Sequence, residues 1–434
     1  MTTISSLRTG RRTRTIRCSR VLAGAAVVAV VAAAFVVGLA QPTLGHAGAA
    51  RPSVAVRFGP LDPTTLSSPN VQSDGSFGGS VATSGGIVAV GAPYETATGE
   101  TAAGHVYVYS TKGALLSTLT SPNAAADGIF GFSVAVSGKN VLVGAPGEEV
   151  DGMDVGGRAY LFSSTGHLVT TFVSPSPQSG GYFGYAVALA GSTVVIGAPG
   201  MAYAGQSQAG LTYIFRTGGT LVSTLFSPKA AYYGQDDGGV FGYSVGISGS
   251  KLIIGAPGES SPAGNQSGHV YLFKTSDSAL LATWTSPNGQ PGGYFGYDVG
   301  ISGSTVVIGA PQENSSGFAY AGNAYLYSAT TYALLHTLAS PNEQSGASFG
   351  YSVSISKSNV LVGVPDENLS AVVYSGGAYE FSTSGAVSAT LSSPNAVTYG
   401  SFGYAVATGG TTLVVGAPGE TVSTLAYAGH AYLY

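Results

Sequence analysis

Short apolar runs alternate with breaks rich in Gly, Ser, Asn and Pro along most of this chain, and the stretch FGFSVAVSGKNVLVGAP (Phe130 to Pro146) shows the pattern in full. Phe132 to Val136 alternates apolar and small residues, the period of a strand with one covered face, and predicts strand a. Ser137-Gly138-Lys139 is a tight turn, and Asn140 to Ala145 is an almost wholly apolar run, strand b. Arg158 to Phe162 and Leu168 to Val173 predict strands c and d, being β-branched or aromatic and bounded by turn residues. An antiparallel strand with one wet face alternates, so the continuous apolar run of strand b is expected to be covered on both faces.

The same unit starts at Phe77, Phe130, Phe183, Phe241, Phe295, Phe349 and Phe402. Each time the Gly of Gly-Ala-Pro follows 14 positions later, at Gly91, Gly144, Gly197, Gly255, Gly309, Gly363 and Gly416; only Val364 alters the wording. Successive starts lie 53, 53, 58, 54, 54 and 53 residues apart. Four short strands repeated at such a period, each sheet packed on its neighbours, predict an all-β fold: a seven-bladed β-propeller of four-stranded antiparallel blades. The last copy stops at Ala431-Tyr432-Leu433-Tyr434, after strand c. Thr65-Leu66-Ser67-Ser68-Pro69-Asn70, ahead of the first copy, matches the strand d ending Thr118 to Asn123. An N-terminal strand d completing the last blade would close the ring and remove its free edge. The propeller is thus expected over 65–434, with 65–70 as the closing strand.

These residues resemble the FG-GAP repeats that form the seven-bladed propeller of integrin α subunits and of their prokaryotic surface relatives. The resemblance implies extracellular recognition, adhesion or ligand binding, by loops on one face. Several integrin blades carry an Asp-rich calcium loop between Phe-Gly and Gly-Ala-Pro. Here that interval holds only a tight turn, such as Ser84-Gly85-Gly86 or Ser248-Gly249-Ser250, without the several carboxylates a Ca²⁺ site needs. The family's calcium sites are therefore not carried over, and neither metal nor cofactor is expected.

Before the repeats, Arg8, Arg11, Arg12, Arg14, Arg17 and Arg20 precede an uncharged apolar run from Val21 to Ala40, with Ala47-Gly48-Ala49 beyond it. Residues 1–50 read as a signal peptide or signal anchor and 51–64 as a linker, so the protein is expected to be secreted or held at the cell surface. Only an uncleaved anchor would attach it to a membrane. The single Cys, Cys18, lies in this leader, which leaves the exported part without disulfide, thiolate nucleophile or Cys metal site. The six leader arginines taken from 16 basic side chains leave ten against 20 acidic ones, a balance that argues against nucleic acid as a partner.

Antiparallel connectivity puts the short a–b and c–d turns on one rim and the long b–c and d–a loops on the other. The long-loop rim collects most carboxylates and the short-turn rim holds Lys112, Lys139, Arg216, Lys251, Lys274 and Lys357. On the long-loop side, Glu follows Gly-Ala-Pro by two positions in six copies: Glu95, Glu148, Glu259, Glu313, Glu367 and Glu420, with Met201 in the third. These are ligand-face candidates, or acceptors for loop N–H groups. Glu148, Glu149, Asp151 and Asp154 form the densest acidic loop, although their spacing fits no established calcium loop. Tyr320, Tyr374 and Tyr427 precede strand c at matching positions, and exposed Tyr is a favoured contact residue. Asn265, Asn314 and Asn368 stand in Asn-x-Ser/Thr sequons that a glycan could use. His105, His269 and His430 occupy one repeated place and read as packing residues, and no catalytic triad or phosphate loop emerges.

The expectation is a recognition or adhesion protein, not an enzyme, that binds an extracellular protein or glycan through its long-loop face. A structural envelope component is the alternative. A carbohydrate-active enzyme would need carboxylates converging near the channel mouth.

Overall fold

The computed structural model describes residues 62–229, 238–369 and 371–434. The expected leader and nearly all of the linker lie outside the described residues, as do Tyr232, Tyr233, Asp236, Asp237 and Ser370 of the third sequon.

Seven antiparallel sheets of four strands each make up the described chain. Blade 2 shows the plan: strand a is Ser133–Ser137, b Asn140–Ala145, c Arg158–Ser163 and d Leu168–Val173. Ser137 pairs with Asn140, so Gly138 and Lys139 alone make the turn, with Gly138 left-handed at φ 59°. Successive strands a neighbour one another around the axis and line a central channel of about 410 Å³. Strands d form the circumference. The last sheet takes its outer strand from the other end of the chain, as Thr64–Ser67 pairs antiparallel with His430–Leu433, Leu66 opposite Ala431.

Strand b is buried on both faces in all seven blades, as its apolar run requires. The core accordingly lies between blades. One cluster joins Val106, Val108 and Leu119 of blade 1 to Phe130, Val141, Val143 and Tyr160 of blade 2. Another joins Leu66, Val414 and Leu433 of blade 7 to Phe77, Val88, Val90 and Tyr109 of blade 1, across the closure.

The repeated Phe and Gly residues work together at each interface. Every opening Phe is fully buried, and in blade 2 Phe130 meets Phe162 edge-on with ring centres 5.9 Å apart. Edge-to-face pairs of this kind add about 0.5–1.5 kcal/mol beyond area burial. The following Gly131 takes φ 90°, and its N–H donates to Gly144 O of its own blade at 3.0 Å. Its carbonyl turns towards blade 1, where it accepts the Ser80 hydroxyl at 2.7 Å. The constant spacing of 14 residues is the reach needed for one end of the a–b hairpin to meet the other while touching the next blade.

Candidate functional site

Six glutamates placed by the sequence on the ligand face are not on the surface. Glu95, Glu259, Glu313, Glu367 and Glu420 have no exposure, and Glu148 has 1%. Each turns inward just after strand b and accepts hydroxyls rather than loop N–H groups. Glu259 shows the arrangement: Tyr271 of its own strand c donates at 2.5 Å, and Ser227, after strand d of the preceding blade, donates at 2.5 Å. Glu148 accepts the same way from Tyr160 and Ser121. Glu95 takes Ser68 beyond the closing strand together with Tyr107 at 2.6 Å, so the clasp also joins blade 7 to blade 1.

The first residue of strand c adds a polar partner in five of the six clusters; in blade 6 that residue is Gly377, and Glu367 accepts from Tyr379 and Ser340. His105, His269 and His430 bring Nδ1 to 2.9, 3.1 and 2.8 Å from their glutamates, which accounts for the repeated His as a packing partner. Arg158 Nε stands 3.5 Å from Glu148, and Asn323 donates to Glu313 at 2.9 Å. Blade 3 does without the charge. Met201 is fully buried where Glu would be, Leu211 opens strand c, and Ser174 and Tyr213 hydrogen-bond to each other at 3.1 Å. Blade 3 thus lacks both the carboxylate and a polar residue at the head of strand c.

Burial raises Glu148 to about 7, against the lowering effect of Ser121, Tyr160 and Arg158. Glu367 is likewise raised to about 7 by burial, and Glu313 is raised by the same cause. Asp298, where strand a of blade 5 begins, is raised to about 7 by burial although the Val353 and Val299 N–H groups donate to it.

Other sequence candidates do reach the long-loop face. Glu149, Asp151 and Asp154 are exposed on the b–c loop of blade 2, apart from the buried Glu148. Among the described residues no three His, Cys, Asp or Glu converge as metal ligands. Asn265, Asn314 and Asn368 are exposed; Asn314 and Asn368 use Oδ1 to accept the N–H of Tyr320 and Tyr374, at 3.0 and 2.8 Å. Lys112, Lys139, Arg216, Lys274 and Lys357 are exposed at the opposite rim. With six glutamates buried, the fully exposed acids of the long-loop face among the described residues are Asp74, Glu100, Glu149, Asp151 and Asp154.

Tyr320 and Tyr427 are exposed by 52% and 46%, and Tyr374 is half-buried against Tyr399, with ring centres 5.5 Å apart. The backbone at this place is left-handed in every blade, at Ala102, Val155, Gln208, Gln266, Tyr320, Tyr374 and Tyr427. Blades 5 to 7 thus hold a bulky ring where the backbone geometry favours Gly or Asn.

An aromatic feature that the sequence candidates omitted stands at the channel mouth. Phe132, Tyr185, Tyr243, Tyr297, Tyr351 and Tyr404 each follow an opening Phe-Gly, and neighbouring rings are 4.9–5.1 Å apart. The phenols of Tyr185, Tyr243, Tyr297, Tyr351 and Tyr404 hydrogen-bond along this arc. Blade 1 has Gly79 in this position, and the arc stops there. Tyr94 comes near the break, its phenol pushed up to about 12 by burial and then by Tyr404. A cavity of about 450 Å³ opens at this point.

The FG-GAP repeat family matches residues 63–109, 115–162, 169–215, 234–273, 281–327 and 387–434, more than half of the chain. The protein belongs to that family, and its fold is the family's seven-bladed propeller. Strands a to c of blade 6, which carries Gly-Val-Pro, fall between matched segments and still form Ser352–Ser356, Asn359–Val364 and Gly377–Ser382. No curated protein matches the chain. The FG-GAP propeller suggests a ligand-binding or adhesion-type protein.

Proposed function

We propose that this is an exported recognition protein that holds a protein or glycan partner on its long-loop face, and that it binds without catalysing a reaction. The observation that carries this reading is the concentration of exposed tyrosines on that face, Tyr320, Tyr399 and Tyr427 among them, beside the open cavity. Tyr gives large, rigid contact area at low entropic cost together with a hydrogen-bonding tip. The buried glutamates take no part, because they are turned inward away from that face. The leader read from residues 1–50 supports export, as does the −10 balance of the remainder for a partner other than nucleic acid.

A screen of the purified protein on glycan and extracellular-protein arrays tests the proposal. Specific binding that is weakened by Tyr320→Ala and Tyr427→Ala together, and left unchanged by Lys139→Ala on the opposite rim, is expected. Absence of any specific binding, or binding sensitive only to the opposite rim, would overturn it.

A structural role in the cell envelope is favoured by a different observation. The outer strands expose apolar pairs on the circumference, Leu115-Leu116, Leu168-Val169 and Leu334-Leu335 among them. Lateral assembly that survives loss of the face tyrosines and disappears on polar substitution of these pairs would support that reading instead.

A further inference from the structure

Three departures from the repeat meet at the seam between blades 7 and 1. Blade 1 alone lacks an aromatic ring two residues after its opening Phe, having Gly79 there. It alone carries an aromatic, Tyr94, between Pro93 and Glu95, a position that is Gly in four blades. Blade 7 alone has Tyr three residues before its opening Phe. That residue, Tyr399, stands at φ 63°, where other blades use Asp74, Asp127, Gly180, Gly292 and Gly346. A bulky residue is costly in this backbone region, and strain that a fold keeps concentrates at binding sites. With Tyr404 and Tyr427, these residues bound the 450 Å³ cavity, a volume within the range of small-ligand pockets.

We propose that this cavity is a carbohydrate site that takes one neutral pyranose unit of a glycan. The inference rests on the long-loop face being the recognition face, and it names that face's ligand class.

The lining decides the chemistry. No Asp, Glu, Lys, Arg or His is among the residues that surround the cavity. A charged ligand would lose its hydration there and find no counter-charge. A purely apolar ligand would leave the Tyr94, Tyr399 and Tyr427 phenols and the Ser76 and Ser401 hydroxyls facing it without a polar group to meet. A pyranose ring matches both demands. Its C–H faces suit the electron-rich faces of aromatic rings, and its hydroxyl edge both donates to and accepts from phenol and serine oxygens. Tyr399 also touches Tyr374, and Tyr320 stands exposed at the matching place one blade further on. That aromatic track gives further sugar units a surface outside the cavity.

Filling the cavity is the direct test. Gly79 has its N–H on Ser76 O at 3.0 Å, as Tyr185 has on Tyr182 O at 3.0 Å, so the local backbone is the one that carries Tyr elsewhere in the ring. A β-carbon on Gly79 would meet Ser76 O at 3.1 Å, a contact that a few tenths of an ångström relieve. The full chain is titrated by calorimetry and saturation-transfer NMR with a panel of neutral oligosaccharides (cello-, malto-, xylo-, manno- and chito-tetraose) and with sialylated and sulfated glycans. At least one neutral oligosaccharide is expected to bind, and Gly79→Tyr and Tyr427→Ala are each expected to weaken it roughly tenfold. If Gly79→Tyr fails to fold, Tyr427→Ala and Tyr399→Gly carry the same test. Neutral sugars that bind equally to all variants, or binding confined to acidic glycans, would overturn the site. No sugar binding at all, with a protein partner held equally by wild type and Gly79→Tyr, would overturn the site and leave the recognition face standing. No binding of any sugar or protein would remove both.

Discussion

The carbonyl oxygen of Gly184 in blade 3 lies 1.9 Å from where a β-carbon on Gly144 in blade 2 would sit. The same oxygen accepts the Ser133 hydroxyl at 2.8 Å. Blade therefore rests on blade through backbone, with only the Ser133 hydroxyl beside the contact. The contact recurs round the ring as far as Gly416, whose β-carbon would stand 2.0 Å from Gly78 O. The Gly of Gly-Ala-Pro is fixed by this approach, since Gly144 is an ordinary strand residue without positive φ. Gly144→Ala is expected to cost about 2–3 kcal/mol, because the facing backbone has no free side-chain end to yield. Urea denaturation reads the loss as a lower midpoint, and an unchanged midpoint would contradict the contact.

Blade 3 offers a natural experiment in the glutamate clasp. Met201→Glu puts a carboxylate beside Leu211, and a loss of about 2–4 kcal/mol is expected from an unpaired buried charge. Leu211→His supplies the partner that Glu259 has in His269. Combining the two should recover roughly 1–3 kcal/mol of that loss as a coupling energy. A double-mutant cycle by denaturant unfolding measures it, and strict additivity would show that the pairing of Glu with its strand c residue is incidental.

The raised carboxyls set a pH dependence. Folded Glu148, Glu367 and Asp298 keep their protons to about pH 7, against ordinary values of 4.5, 4.5 and 3.8. Between those limits the folded state binds more protons than the unfolded state, so stability falls as pH rises and levels off above about 7. Thermal unfolding from pH 4.5 to 7.5 should show a declining midpoint, with a shallower decline in Glu148→Gln. A midpoint that rises with pH across this window would contradict the assignment of burial as the dominant effect.

Tyr399 separates folding from binding. At φ 63° a Tyr costs about 1–2 kcal/mol that Gly does not. Against this, removing the ring loses its contact with Tyr374, worth about 0.5–1.5 kcal/mol in an aromatic pair. Tyr399→Gly is therefore expected to unfold at the same or a slightly higher temperature while weakening ligand capture. A clear drop in melting temperature would mean that the ring is kept for stability.

Most of the fold was legible because backbone periodicity reports directly on strands. Asn140–Ala145 and Leu168–Val173 fall where the apolar pattern puts them, and the closing strand, expected at Thr65–Asn70, is found at Thr64–Ser67. The glutamates misled for a physical reason. Two positions past a strand end reads as loop surface, and nothing local shows that the side chain turns back under the next blade. The signal was long-range: Tyr stands 12 residues after and Ser 27 before Glu95, Glu148, Glu313, Glu367 and Glu420, and Leu211 replaces the polar partner where Glu is missing. The cavity was harder to find because it is made by an absence, Gly79 in a column of rings, and an absence has meaning only once the rings are known to meet.

Hydrogen–deuterium exchange on the chain with and without a partner recovered from the arrays tests the central claim most directly. Protection is predicted in the b–c and d–a loops of blades 5, 6, 7 and 1, around Tyr320, Tyr374, Tyr399, Tyr427 and Tyr94, with the turns at Lys112, Lys139 and Lys274 unchanged. Protection confined to those short turns or to the outer strands would place recognition elsewhere and contradict the account.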